Sequence, residues 1–285
     1  METSRRITRR GLIRTLGFAL IAGATTGLYA WRIEPHWVEV VRRPLPLAGL
    51  PPDWRGRTLV HLSDVHVGKK VDDEYLLDVF ERTAELAPDL VVVTGDLVSH
   101  HRTVHAHAEE IYRHLPRGRV GTFAVLGNHD YGPNWAHPPA AAKLVDAVAV
   151  DGLRVLRNER VDLGGLELVG LDDLWAGRFG AEGLLARRRR PRRAAIALSH
   201  NPDSADLPVW QEWRGWILAG HTHGGQCRPP FLPPPLLPVR NRRYTAGEFD
   251  VGPGRTLYVN RGLGHLTRVR FNVRPEITLF ELVPA

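Results

Sequence analysis

The sequence predicts an α/β layered domain behind a short apolar N-terminal segment. Three observations predict it. From residue 57 onward, short apolar runs alternate with amphipathic stretches of helical period. Five of the runs lead directly into an Asp, Asn or His, framed by Gly or Ser. The 285 residues, 43% hydrophobic and 24% charged, carry enough apolar side chain for one sizeable core.

Taken in order, Arg5, Arg6, Arg9, Arg10 and Arg14 precede an uncharged run from Thr15 to Trp31, 17 residues long. That length is at the short edge of a membrane span and slightly beyond a usual signal core. Thr8-Arg9-Arg10-Gly11-Leu12-Ile13-Arg14 resembles a bacterial twin-arginine export signal, and Ala22-Gly23-Ala24 fits a cleavage site. A cleaved signal and a retained anchor with its positive end in the cytoplasm are both open, and both put the remaining chain on the outer face of the membrane. A core helix of a soluble protein is the third reading. The segments are therefore 1–31 (signal or anchor), 32–55 (linker or edge segment) and 56–285 (the main domain). Residues 37–41 could form an edge strand, which Pro44, Pro46, Pro51 and Pro52 keep from extending further.

Residues 58–62 read as a strand entering Ser63-Asp64-Val65-His66. Residues 73–87 read as a helix, ended by Pro88. The wholly apolar 90–94 is a strand entering Gly95-Asp96, and a helix comes next near 104–115. Residues 122–126 enter Gly127-Asn128-His129-Asp130, before an alanine-rich helix over 138–149. Short strands lie near 154–156, 161–163 and 166–170. Strand 194–198 enters Ser199-His200, and strand 216–219 enters Gly220-His221-Thr222-His223. Ligands of such sheets gather at the carboxyl ends of the strands, where all these residues lie. The chain carries no internal repeat.

The net charge is +7, but +4 of it sits in residues 1–14. The remainder is too small to mark a nucleic-acid surface, so no stable nucleic-acid partner is expected. The single cysteine, Cys227, excludes an intrachain disulfide and a thiolate metal cluster, and nothing in its setting activates it as a nucleophile. The run Arg187–Arg190, Arg192 and Arg193 is read as a solvated loop or, more sharply, as a dock for anionic lipid. Residues 228–238, rich in Pro and Leu, cannot form a regular element; they line the site mouth or merely cross the surface.

The candidate residues are Asp64, His66, Asp96, Asn128, His129, His200, His221 and His223. Taken singly each has an ordinary reading, as a turn residue, a cap or a core histidine. Taken together, oxygen and nitrogen donors without thiolate suit Mn, Fe or Zn, and the set is too large for one ion. His61 reads as a packed core residue. His100, His101, His105, His107 and His114 read as surface, with His101 a conceivable substrate contact. His265 could border the pocket, and Arg261 is a candidate phosphate contact.

These motifs, in this order, resemble the calcineurin-like metallophosphoesterase superfamily over about residues 57–285. Gly224-Gly225-Gln226, residues 199–203, residues 258–264 and Arg274-Pro275-Glu276-Ile277 resemble its exported bacterial branch. The resemblance implies a layered αββα sandwich and two divalent ions (Mn, Fe or Zn). Asp64, His66 and His223 would hold one ion, Asn128, His200 and His221 the other, and Asp96 would bridge them. It implies hydrolysis of a phosphodiester or pyrophosphate by a metal-bridging hydroxide, with His129 facing the leaving-group oxygen. A UDP-2,3-diacylglucosamine-type lipid pyrophosphohydrolase and a catalytically silent, metal-stabilised envelope binding protein are the alternatives. A nuclease is disfavoured for want of a basic stripe interleaved with aromatics.

Overall fold

A computed structural model describes residues 8–99, 104–149, 152–186, 193–210 and 212–285. The readings of His100 and His101, of Arg5 and Arg6, and of Arg187–Arg190 and Arg192 lie outside the described residues. In chain order the elements are α1 (Arg9–Leu28), β1 (Glu39–Leu47), β2 (Thr58–Leu62), α2 (Asp73–Glu85), β3 (Leu90–Thr94), α3 (Val104–Tyr112), β4 (Gly121–Val125), α4 (Pro138–Val148), β5 (Leu153–Val155), β6 (Glu159–Leu163), β7 (Leu166–Gly170), α5 (Glu182–Ala186), β8 (Ala195–Leu198), β9 (Gly215–Ala219), β10 (Gly247–Asp250), β11 (Arg255–Val259) and β12 (Glu276–Pro284).

The strands form two six-stranded sheets, ordered β1-β12-β2-β3-β4-β5 and β10-β11-β9-β8-β7-β6. In the first, β2 to β5 are parallel and β12 runs against β2. In the second, β7, β8, β9 and β11 are parallel, and β6 and β10 are antiparallel edges. The two-residue period of each strand splits its side chains between two cores. Leu59, Leu90, Val92 and Phe280 meet Leu168, Ile196, Leu198 and Trp216 between the sheets. Val60, Leu62, Val91 and Val93 face the other way, onto Leu76, Val79 and Phe80 of α2 and Leu144 of α4. Ile217, Ala219 and Val259 pack outward on Leu185, Trp210 and Trp213. Both faces of the central strands are covered, which is why 90–93 is a continuous apolar run. The outcome is the four-layer α/β sandwich expected, with the apolar helix α1 ahead of it.

Four elements depart from the sequence reading. β1 runs through Pro44 and Pro46 as an edge strand paired only with β12. The two prolines are two apart, so their missing N–H groups fall on the same, outward side, where no ladder bond is needed. They also blunt the edge against pairing with another chain. The sequence pattern predicts no strand over the nine-residue β12, yet it pairs with both β1 and β2, one place in from the edge of its sheet. The helices α2 and α3 end a turn or less before the sequence reading has them end.

His61 lies between the sheets, fully buried, with Nε2 2.8 Å from Thr94 Oγ1 and its ring stacked 6.5 Å from Phe280. Burial pushes its pKa down from 6.5 to about 3. Below pH 6.5 the unfolded chain therefore binds a proton that the folded chain refuses, and stability falls on that side. At pH 5 this one residue costs about 2 kcal/mol. His61→Phe should remove the effect, shrinking the difference in urea-unfolding free energy between pH 7 and pH 5 by about that amount. An unchanged difference would refute it.

Candidate metal centre

The parallel strands deliver their carboxyl ends to one rim, and the candidate residues meet there. Asp64, His66, Asp96 and His223 form one buried group, and Asp96, His200 and His221 form a second. Within each group the donor atoms all lie within 4.8 Å of one another. Asp96 belongs to both. Its Oδ2 stands 3.5 Å from His66 Nε2 and 3.3 Å from His200 Nε2, while its Oδ1 accepts the backbone N–H of His129 at 2.9 Å. His223 Nε2 is 3.3 Å from Asp64 Oδ1, and both Asp64 oxygens accept the backbone N–H of His221.

The chain bends sharply to make this arrangement. Asp64, His66, Asp96, His221 and His223 all have left-handed backbones, with φ between 49° and 71°. For residues other than glycine that conformation costs about 1 kcal/mol or more each. Turning each strand end this way folds the side chain back over the rim. Two glycines give the carboxylates room: a Cβ on Gly127 would overlap Asp96 Oδ1, and one on Gly220 would overlap Ser63 Oγ and Asp64 Oδ2. Backbone bonds lace the loops together, with Asp64 N–H donating to Gly95 O, His66 N–H to Asp96 O and Gly220 N–H to His200 O.

The outer nitrogens of three histidines are already engaged. His200 Nδ1 donates to Thr94 O at 2.8 Å, His223 Nδ1 donates to Gly264 O at 3.2 Å, and His66 Nδ1 lies 3.1 Å from Ser99 Oγ. Such bonds leave each Nε2 aimed into the cluster, as a metal-binding imidazole requires. Burial drives His66 and His221 down to about 3 and His223 well below its ordinary range. These rings are neutral donors. Burial also pushes Asp64 up to about 6. For Asp96 and His200 burial opposes charge, but their mutual attraction wins: Asp96 is held well below the carboxylate range and His200 well above the imidazole range.

Two further observations fit a bound cation. His66 Nε2 and His223 Nε2 face each other at 3.2 Å. Facing lone pairs repel unless a proton or a cation lies by them. Asn128 is buried, and neither its Oδ1 nor its Nδ2 has a hydrogen-bond partner among the described residues. An orphaned buried amide costs about 1–3 kcal/mol, and its oxygen is a suitable donor to a divalent ion.

A cavity of about 470 Å³ opens over the cluster, lined by Asp96, Asn128, His129, His221 and His223. Trp135 and Trp175 form one wall, their rings 4.9 Å apart, with Trp175 edge-on to His221 at 4.4 Å. Pro235, Leu236 and Pro238 form another, so part of the proline-leucine stretch does border the mouth. His129 is half-buried there, against His66 and Trp135. Asp130 accepts from Val98 N–H and Gly127 N–H and so ties two site loops together, and burial raises its pKa to about 8.

Arg261 stands apart. Its guanidinium donates to Glu276 at 2.5 Å and to Glu39 at 2.9 Å, and it is not among the residues lining the cavity. His265 is buried beside Lys70 O, and His107 pairs with Asp73. Cys227 is half-buried, and burial pushes its thiol up, away from the thiolate form.

The sequence reading missed Arg270, Trp135 and Trp175. Arg270 is fully buried and donates to the carbonyls of Arg261, Gly262, Gly264 and Val273. It shapes the loop on which His223 and Asp64 lean. Its only sequence signal was its place soon after the Gly262-Leu263-Gly264 turn.

Residues 57–225 match the calcineurin-like phosphoesterase family. The chain is 35% identical to the metallophosphoesterase YkuE of Bacillus subtilis, over 98% of each chain. It is 31% identical to the phosphodiesterase YaeI of Escherichia coli, over 97% of this chain and 100% of that one. It is 26% identical to the UDP-2,3-diacylglucosamine pyrophosphatase LpxG of Chlamydia trachomatis, over 94% of this chain and 96% of that one.

Proposed function

The chain belongs to the calcineurin-like phosphoesterase family, and from that premise we propose that it hydrolyses a phosphodiester or pyrophosphate bond at a centre of two divalent ions. Asp64, His66 and His223 would hold one ion, Asn128, His200 and His221 the other, and Asp96 would serve both. The observation that carries this reading is the shared Asp96: one carboxylate belonging to two buried donor groups. Such a centre would supply positive charge to the phosphoryl oxygens and lower the pKa of the attacking water. The donor set suits Mn, Fe or Zn.

The chain's own groups do the rest. The cavity seats the phosphoryl group against the cluster, and the Trp135–Trp175 wall excludes bulk water. His129 is fixed by its backbone bond to Asp96 and projects into the cavity, where it protonates the departing oxygen. His129→Ala should therefore lower turnover of a diester with an alkoxide leaving group by about 10²–10³-fold, and that of bis-p-nitrophenyl phosphate by much less, with the metal content unchanged. Elemental analysis beside the assay checks it. A silent binding protein would show no turnover to lose.

A lipid-linked pyrophosphate is the finer reading. The apolar wall of Pro235, Leu236 and Pro238 supports it, together with the similarity to a UDP-2,3-diacylglucosamine pyrophosphatase. Arg261, engaged by two carboxylates, has no part in it. Residues 9–36 form one helix long and apolar enough to cross a membrane, and its apolar stretch is exposed. We read it as a twin-arginine-type signal or an anchor, with the catalytic domain on the outer face.

A further inference from the structure

Among the described residues, every exposed large hydrophobic side chain lies in one of two segments, residues 12–37 or residues 231–236. The first is the apolar helix and its continuation. The second is a loop tip where Phe231 is wholly exposed, Leu236 is 80% exposed and Leu232 is 59% exposed. Phe231 also has a left-handed backbone, φ 65°, which is rare for a bulky residue. The prolines at 229, 230, 233, 234 and 235 stiffen the loop, and Arg242 donates to Pro234 O at 2.8 Å to hold its base.

The two apolar segments share one platform. Arg270 N–H donates to Ala30 O at the end of the helical segment, and Val273 N–H donates to Glu34. From the same strip, Phe271 N–H donates to Gln226 O, and Phe271 O accepts from Arg228 N–H at the foot of the loop. Arg228, Arg240, Arg242 and Arg243 flank the tip, exposed, and none is ion-paired to a carboxylate among the described residues. Apolar side chains with exposed arginines before and after them in the chain match the boundary between anionic headgroups and acyl chains.

We propose that the loop 229–238 is a second membrane contact, with Phe231 and Leu232 entering an anionic bilayer beside the N-terminal helix and turning the cavity mouth to the membrane surface. This rests on the membrane-facing reading above. Pro235, Leu236 and Pro238 run from the tip into the cavity wall, so an amphiphile drawn partly out of the bilayer keeps apolar contact until its phosphate reaches the cluster. The substrate class is then a phosphodiester or pyrophosphate carried on a bilayer lipid.

The test uses the full chain, with Cys227→Ser, reconstituted into phosphatidylcholine–phosphatidylglycerol vesicles containing brominated lipid. An environment-sensitive fluorophore is attached through Phe231→Cys, through Phe18→Cys in the helix, or through Arg113→Cys in the turn after α3. Quenching at 231 and 18 but not at 113 is expected. Quenching at 18 without 231, or at neither, overturns the proposal. An unquenched 231 probe whose emission shifts with protein concentration assigns the tip to a second copy of the chain and also overturns it.

In parallel, F231S/L232S should lower turnover of a vesicle-embedded phosphodiester at least about tenfold while leaving bis-p-nitrophenyl phosphate unchanged. An equal fall in both refutes it. Loss of soluble turnover in the unsubstituted chain, with the 231 probe still quenched, would instead refute the catalytic reading and leave the membrane contact standing.

Discussion

Asp96→Asn is expected to lower diester turnover by on the order of 10³-fold while the fold is retained. The substitution is isosteric, so the bond from His129 N–H and the packing of the rim survive. What goes is the charge, and with it the one oxygen placed between His66 Nε2 at 3.5 Å and His200 Nε2 at 3.3 Å. His200 also loses the carboxylate that holds its imidazole well above the ordinary range. Metal content by elemental analysis should fall together with turnover, and circular dichroism should not change. Turnover within tenfold of the unsubstituted protein would mean that Asp96 is not shared between two ions.

Arg270→Met should be the most destabilising single change near the site. The guanidinium is fully buried and satisfies four carbonyls, with Gly264 O the closest at 2.8 Å and Gly262 O and Arg261 O at 3.0 Å. Methionine fills most of the volume but donates nothing, so those oxygens lose their partners. The expected loss is about 3–5 kcal/mol, or a melting temperature lower by roughly 8–15 °C. The same loop supports the cluster: Gly264 O receives His223 Nδ1, and Gly264 N–H donates to Asp64 O at 2.7 Å. Metal affinity should therefore drop by about 10–100-fold. Calorimetry and a chelator titration read the two effects, and a melting point within about 2 °C of the unsubstituted protein would contradict the role.

The inner architecture was legible because hydrophobic periodicity is a local signal. Residues 58–62, 90–94, 122–126, 194–198 and 216–219 are apolar runs that stop at a polar residue, and each is a strand ending at the rim. The seven clustered donors sit directly beyond those ends. What was not legible depends on partners distant in sequence. Arg261 looks like a free cation until Glu39, 222 positions away, is brought beside it. Arg270 looks like surface charge until four carbonyls enclose it. β1 tolerates Pro44 and Pro46 only because it is an edge strand, a fact set by β12 far along the chain. The left-handed turns at Asp64, His66 and Asp96 left no trace, because none of those residues is glycine. Trp135 and Trp175 come together from separate loops, 40 positions apart, and no period connects them.

The most direct test of the central claim is metal stoichiometry measured together with turnover. The full chain is stripped with a chelator, titrated with Mn and assayed on bis-p-nitrophenyl phosphate at each step. A dinuclear centre predicts turnover that vanishes on stripping and returns in full only at two ions per chain. Turnover that survives stripping, or that is complete at one ion per chain, would contradict the assignment of Asp96 to both groups.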